Sequence, residues 1–169
     1  PSLEAQVAAI SDDIAYNNHD LEDGLRAGLF TIKNISSIPY LSKLIKKHVK
    51  NIKNFRREII ISQIVRDLIN LMVVDVLNTT NKNLKKISPQ SINDIYKQDR
   101  LIVDFSDKMK MIDKQIKVFL KRNMYNHKKI VVNTNRGKRI INDLFKYLLK
   151  NSRKYISGNL FKNEEKERV

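Results

Sequence analysis

The stretch from Arg56 to Thr80 carries apolar side chains around almost its whole circumference, from Ile59, Ile60 and Ile61 through Ile64, Val65, Leu68 and Met72 to Val76 and Leu77. A helix that is oily nearly all round is stable in water only when other elements cover it. Gln63, Arg66, Asp67 and Asn70 fall on one narrow stripe of that helix, which must meet water, a partner or a ligand. The same polar residues interrupt the apolar run, so it does not read as a membrane span. The covering elements must themselves be helical, because four Gly and three Pro among 169 residues leave few turns. The expected fold class is therefore all-α, a multi-helix bundle of roughly six helices.

The rest of the chain supplies those helices. Pro1–Asp23 has Leu3, Val7, Ile10, Ile14 and Leu21 on one face, with Gly24 as the expected stop. Leu25–Ile32 reads as a short turn or connector. Pro39 opens "PYLSKLIKKHVK", with Leu41, Leu44, Ile45 and Val49 inward. A polar link, "NTTNKNLKKISPQS", precedes a short helix at Ile92–Lys97, and "RLIVDFS" reads as a strand or loop. Asp107 is the expected N-cap of "KMKMIDKQIKVFLKRNMY". "IVVNTNRG" is expected to break the chain before a last helix through Ile140, Ile141, Leu144, Phe145 and Leu148. One helical domain over 1–157 and a flexible charged tail over 158–169 are the expected organisation, with 1–32 and 33–157 as its two parts.

Charge is unevenly placed. The chain carries net +15, yet residues 1–30 hold six acids and one base. The remainder holds 32 bases and 12 acids, a surface that attracts polyanions. A basic helical module that binds single-stranded DNA, or one that only oligomerises, is accordingly an alternative function without catalysis. The absence of Cys excludes disulfides and thiolate metal sites. No signal peptide or spanning segment is legible, so a cytoplasmic protein with no membrane partner is expected.

The first helix concentrates the anomaly. At about 100° per residue, its Leu3/Val7/Ile10/Ile14 face lies opposite Ala5, Ala8, Ala9, Asp12, Tyr16 and His19. Solvated faces are normally Lys and Glu; this one is alanine around a carboxylate. Small residues let another element approach closely, so Asp12 is expected buried or half-buried, in need of a cation, a metal or strong donors. Asp12, Tyr16 and Asp20 stand at i, i+4 and i+8, over about 12 Å of helix. Asp20, Glu22 and Asp23 near the helix C-terminus oppose its dipole, a small cost that ligand binding would offset.

"LEAQVAAISDDIAYNNHDLEDGLRAGLF" resembles the last metal-ligand helix of the HD-domain dNTP triphosphohydrolases, the dGTPase-like family. "RREIIISQIVRDLINLMVVDVL", "DFSDKMKMIDKQIKVFLKRNMY" and "NRGKRIINDLFKYLL" resemble the family's C-terminal helices in the same order, so the likeness covers nearly the whole chain. The resemblance implies a hydrolase that converts a dNTP such as dGTP to deoxynucleoside and tripolyphosphate with a divalent metal, Mg or Mn. It implies Asp12 as a metal ligand and Tyr16 and Asp20 as residues against the deoxyribose near its 3′-hydroxyl. Arg66 on the polar stripe is the candidate for the phosphates, ahead of Arg56 and Arg57.

The family's other ligands, a His and a His-Asp pair, belong upstream of this motif, and His19-Asp20 is not that pair. His48 and His127 lack a matching context. The chain is thus expected to be the C-terminal part of such an enzyme, without a complete catalytic site of its own and inactive without the N-terminal segment. That segment, the dNTP and further copies of the chain are its expected partners.

Overall fold

A computed structural model describes residues 1–49 and 56–155. The described residues are helical throughout, with turns and loops between the helices and no strand among them. They fall into two compact units, Pro1–Tyr125 and Asn126–Val169. The charged tail over 158–169 and the side chain of Val49 lie outside the described residues.

The first unit is built on two helices. α1 spans Leu3–Arg26 and α4 spans Arg57–Ile87. Ser2 caps α1 by accepting the Ala5 amide at 3.2 Å. α2 (Ile32–Ile35) and α3 (Pro39–Val49) fold over one end, α5 (Ile92–Tyr96) follows α4, and α6 (Asp107–Leu120) returns to pack on α1. The core joins Ile14, Leu21 and Leu25 of α1 to Leu41 and Ile45 of α3. It continues through Ile61, Ile64, Leu68 and Met72 of α4 to Ile112, Ile116 and Leu120 of α6. At about 25 cal/mol per Å², burying each such side chain contributes roughly 1.5–3 kcal/mol.

Several boundaries differ from expectation. α1 does not stop at Gly24; it runs to Arg26, and Gly28 at φ +67° takes the left-handed turn. Gly24 instead serves close packing, since a Cβ there would stand 2.3 Å from the Phe30 ring. That ring meets Phe119 edge-on at 5.0 Å between centroids. α4 continues through the expected polar link to Ile87. Asn83 donates to the Ile102 carbonyl at 2.8 Å, and Ser88, left-handed at φ 44°, ends the helix. Ser106, not Asp107, caps α6 by accepting the Met109 amide at 3.2 Å. Beyond Leu120 the chain widens into a π-helical turn, Lys121–Tyr125.

"RLIVDFS" is a loop, not a strand, and side chains hold it in place. Oε1 of buried Gln6 accepts the amides of Ile102 and Val103 at 2.8 and 3.1 Å. Asp75 accepts the Ser106 amide and hydroxyl at 2.8 and 2.7 Å.

In the second unit, α7 runs unbroken from Lys128 to Lys150, so the expected break at "IVVNTNRG" does not occur. A helix tolerates Gly137 and its Asn neighbours at about 1 kcal/mol or less each, whereas it would not tolerate a proline there. Ile140, Ile141, Leu144, Phe145 and Leu148 share its apolar stripe and are all exposed. A short α8, Ser152–Tyr155, sets Tyr155 against Tyr147.

Candidate functional site

α1 is pinned to its neighbours by polar groups that the helical wheel does not reveal. Buried Asn17 donates to Asp113 of α6 at 3.1 Å. Lys117 bridges Asp113 and Asp13 at 2.9 and 3.0 Å. Burial opposes the Lys117 charge, but hydrogen bonds to Asp113 and Asp13 outweigh it and raise the ammonium above its usual range. Fully buried Asn18 donates to the Ile14 carbonyl at 2.7 Å and to the Met72 sulfur at 3.2 Å. At the far end, Arg26 holds Glu22 at 2.6 Å and Ser62 of α4 at 2.8 Å, while Ser62 donates to Glu22 at 3.0 Å. The Arg26 guanidinium thereby keeps the Glu22 carboxyl below the ordinary carboxylate range.

These contacts set the orientation of α1 and overturn one expectation about it. Asp12 is exposed, neither buried nor half-buried, and so are Ala5, Ala8, Ala9, Tyr16 and His19. The buried side is the expected apolar one: Ile14 and Leu21 are buried and Leu3 and Ile10 half-buried against the core, Gln6, Asn17, Asn18 and Leu25 join them, and Val7 alone of the expected face lies 49% exposed. Helices α4 and α6 pack on α1, and its alanine face is exposed.

On the open face the structure brings Tyr16 and Asp20 together with a third residue, Tyr125, that sequence reasoning missed. The Tyr125 hydroxyl donates to Oδ2 of Asp20. Burial first, then the Asp20 carboxylate and the Tyr16 hydroxyl, push the Tyr125 phenol well above the ordinary tyrosine range. Nothing local marks Tyr125 in the sequence; only the fold brings it across 105 residues to Asp20.

Arg66 is exposed on α4 and forms no ion pair or hydrogen bond among the described residues. Arg57 donates to the Leu25 carbonyl at 3.0 Å and so serves the end of α1. Arg56 occupies the N-cap position of α4. His48 pairs with Asp67 at 2.8 Å, and His127 caps α7 by accepting the Lys129 amide at 3.3 Å. Among the described residues no group of three or more His, Asp or Glu side chains is placed to hold a metal. Asp12 offers one hard oxygen ligand, suited to Mg or Mn but insufficient alone.

A second feature is a groove of about 920 Å³ between α2–α3 and α6, floored by Ile38, Met111, Val118 and Phe119. Among the described residues, Lys33, Lys114 and Arg122 line it and no carboxylate does.

Comparison with known proteins shows what the chain is similar to. Residues 103–168 match the phosphohydrolase-associated domain family. The chain is 44% identical over 164 residues to a deoxyguanosinetriphosphate triphosphohydrolase-like protein of Pelagibacter ubique, covering 96% of this chain and 44% of that one. It is 40% identical over 147 residues to a protein of the same description from Brucella ovis, covering 85% of this chain and 36% of the relative. A further relative so described, from Agrobacterium fabrum, is 42% identical over 144 residues, again at 85% and 36% coverage. The chain belongs to this dGTP triphosphohydrolase-like family and corresponds to its C-terminal part. It spans less than half the length of these relatives.

Among the described residues no helix is long and apolar enough to cross a membrane.

Proposed function

We propose that this chain is the C-terminal part of a metal-dependent dNTP triphosphohydrolase that converts dGTP or a similar nucleotide to deoxynucleoside and tripolyphosphate. The observation that carries the reading is the open face of α1, where Asp12 stands among alanines and leads to the Tyr16–Asp20–Tyr125 group. The names of the similar proteins support it.

In this reading the alanine face receives the remainder of the enzyme, which brings the missing ligands to Asp12. Covering that face excludes water and raises the value of each charge on it. Asp12 would be one of the residues that hold the metal, through its carboxylate. A divalent metal in such a site polarises the phosphate and lowers the pKa of water. Tyr16 presents its ring to the apolar side of the deoxyribose, and the Asp20 carboxylate accepts a hydrogen bond from a sugar hydroxyl. Arg66 offers charge to the phosphates; its guanidinium fork matches phosphate oxygens in pairs.

The test combines the chain with the upstream portion of the Pelagibacter ubique relative and assays dGTP with Mn or Mg. Tripolyphosphate is expected from the combination and from neither part alone. Co-elution of the two parts without any tripolyphosphate sinks the reading.

The groove favours a second reading, binding of single-stranded nucleic acid. Among the described residues three cations and several apolar side chains line it with no carboxylate, and Phe119 adds an aromatic surface. Binding of an oligodeoxynucleotide that weakens steeply with salt, and is lost in a Lys33/Lys114/Arg122 triple alanine variant, is its signature.

A further inference from the structure

The loop 97–106 is pinned more firmly than a connector needs. Oε1 of Gln6 accepts two of its amides, Asn83 donates to the Ile102 carbonyl, and Asp75 accepts the Ser106 amide and hydroxyl. With the second half of α4 and the start of α6, the pinned loop walls a pocket of about 700 Å³. Small-molecule sites fall roughly between 300 and 1,000 Å³.

Among the described residues, four cations from three elements line this pocket. Lys82 and Lys86 stand one turn apart on α4, Arg100 comes from the loop and Lys110 from α6. Lys110 pairs with Asp104, whose Oδ1 also accepts the Phe105 amide. The side chains of Lys82, Lys86 and Arg100 are exposed and have no ion pair or hydrogen bond among the described residues. The other carboxylate of the lining, Asp107, lies in the first turn of α6, where the helix dipole favours it. Three unpaired cations against one free carboxylate leave the pocket electropositive. Phe105 is the aromatic residue of the described lining, and its ring is buried in the core. A nucleobase therefore finds no face to stack on there, and recognition falls to phosphate oxygens alone. Two ammonium groups and a guanidinium fork on facing walls suit a chain of linked phosphates.

We propose that this pocket binds an inorganic polyphosphate anion, Arg100 gripping one phosphate with its fork while Lys82 and Lys86 neutralise the others. No described residue of α1 lines the pocket, so the site is independent of the triphosphohydrolase reading.

Calorimetric titration of the chain with sodium tripolyphosphate tests it, in metal-free buffer at about 150 mM salt, where distant surface charges are screened. One-to-one binding is expected. Arg100→Ala and Lys86→Ala each weaken it about tenfold, the loss of a charge-assisted hydrogen bond, and Arg100→Lys recovers only part of that loss. Asp107→Asn removes the opposing charge and tightens binding. The double variant Lys33→Ala/Lys114→Ala takes two charges from the other groove and leaves binding unchanged. All five replaced side chains are exposed, so each variant keeps the fold, as its thermal midpoint without ligand verifies. Absence of binding, or equal weakening by the double variant, overturns the proposal; the latter marks unspecific attraction to a basic surface. Titrations with dGTP and with an oligodeoxynucleotide distinguish the sources of phosphate. Weaker binding of both than of tripolyphosphate supports the inorganic anion. Tighter binding of either, with the same dependence on Arg100, overturns the proposal in favour of a nucleotide or nucleic acid.

Discussion

Gln6 and Ile102 lie 96 residues apart, yet the Gln6 carboxamide oxygen accepts the Ile102 amide at 2.8 Å inside the protein. It takes the Val103 amide as well, at 3.1 Å, so one side chain satisfies two buried donors of an irregular loop. Gln6→Ala orphans both, at about 1–3 kcal/mol for each donor left unpaired. Urea unfolding midpoints measure the loss. Gln6→Glu, which keeps an acceptor, is expected to lose less than the alanine variant.

Gly24→Ala places a methyl group where the Phe30 ring already stands. Overpacking of this kind costs about 1–3 kcal/mol. Trimming the ring with Phe30→Leu makes room, so the double variant is expected to be less destabilised than the two single losses added together. Strict additivity in a thermal unfolding cycle would remove close packing as the reason for this glycine.

Lys117→Met deprives buried Asp113 of its cation and leaves it with Asn17 alone. The cost is about 1–3 kcal/mol, held at that level because Lys117 is itself partly exposed. Asp113→Asn in the same background removes the orphaned charge and should recover part of the loss, as read by denaturant titration at neutral pH.

The pH profile has two limbs of known sign. Glu22 has a depressed folded-state pKa, so its contribution is present above the unfolded carboxyl range and fades as pH falls through the depressed value. Glu22→Gln flattens that acid limb. Tyr125 and Lys117 have raised values, so their contributions are complete below their unfolded ranges, near pH 10 for both, and fade as pH rises further. Tyr125→Phe and Lys117→Met each reduce the alkaline limb in stability measured between pH 7 and 11.

Asp12 is exposed, so Asp12→Asn should change the stability of the chain by no more than about 0.5 kcal/mol. In the combined enzyme the same change abolishes tripolyphosphate release. Wild-type turnover by the Asn variant removes Asp12 from the metal site.

The register of α3 and α6 and one buried face of α4 were legible in the sequence because apolar periodicity reports them directly; the expectation that other elements cover α4 nearly all round was not met, since Ile59, Val73, Val74 and Leu77 are exposed. The buried side of α1 was harder. The polarity of Gln6, Asn17 and Asn18 argues for solvent, yet each is buried where a carbonyl, amide, carboxylate or sulfur on the chain meets it. The overrun of α4 past Thr80 depends on Asn83 reaching a loop nineteen residues away, and α7 runs through "NTNRG" although its composition suggests a turn. Tyr125 illustrates the general limit: its partner is set by a widened turn and a helix crossing, neither of which local composition encodes.

The buried amides of α1 also act as an index mark. Leucines at positions 17 and 18 would suit a greasy core equally well, and such a helix could settle after slipping by a residue. Only one azimuth satisfies Asn17 against Asp113 and Asn18 against Met72. That azimuth keeps the carboxylate of Asp12 on the outer side, so replacing both amides by leucine would blur the aim of that face and also strip buried Asp113 of one donor.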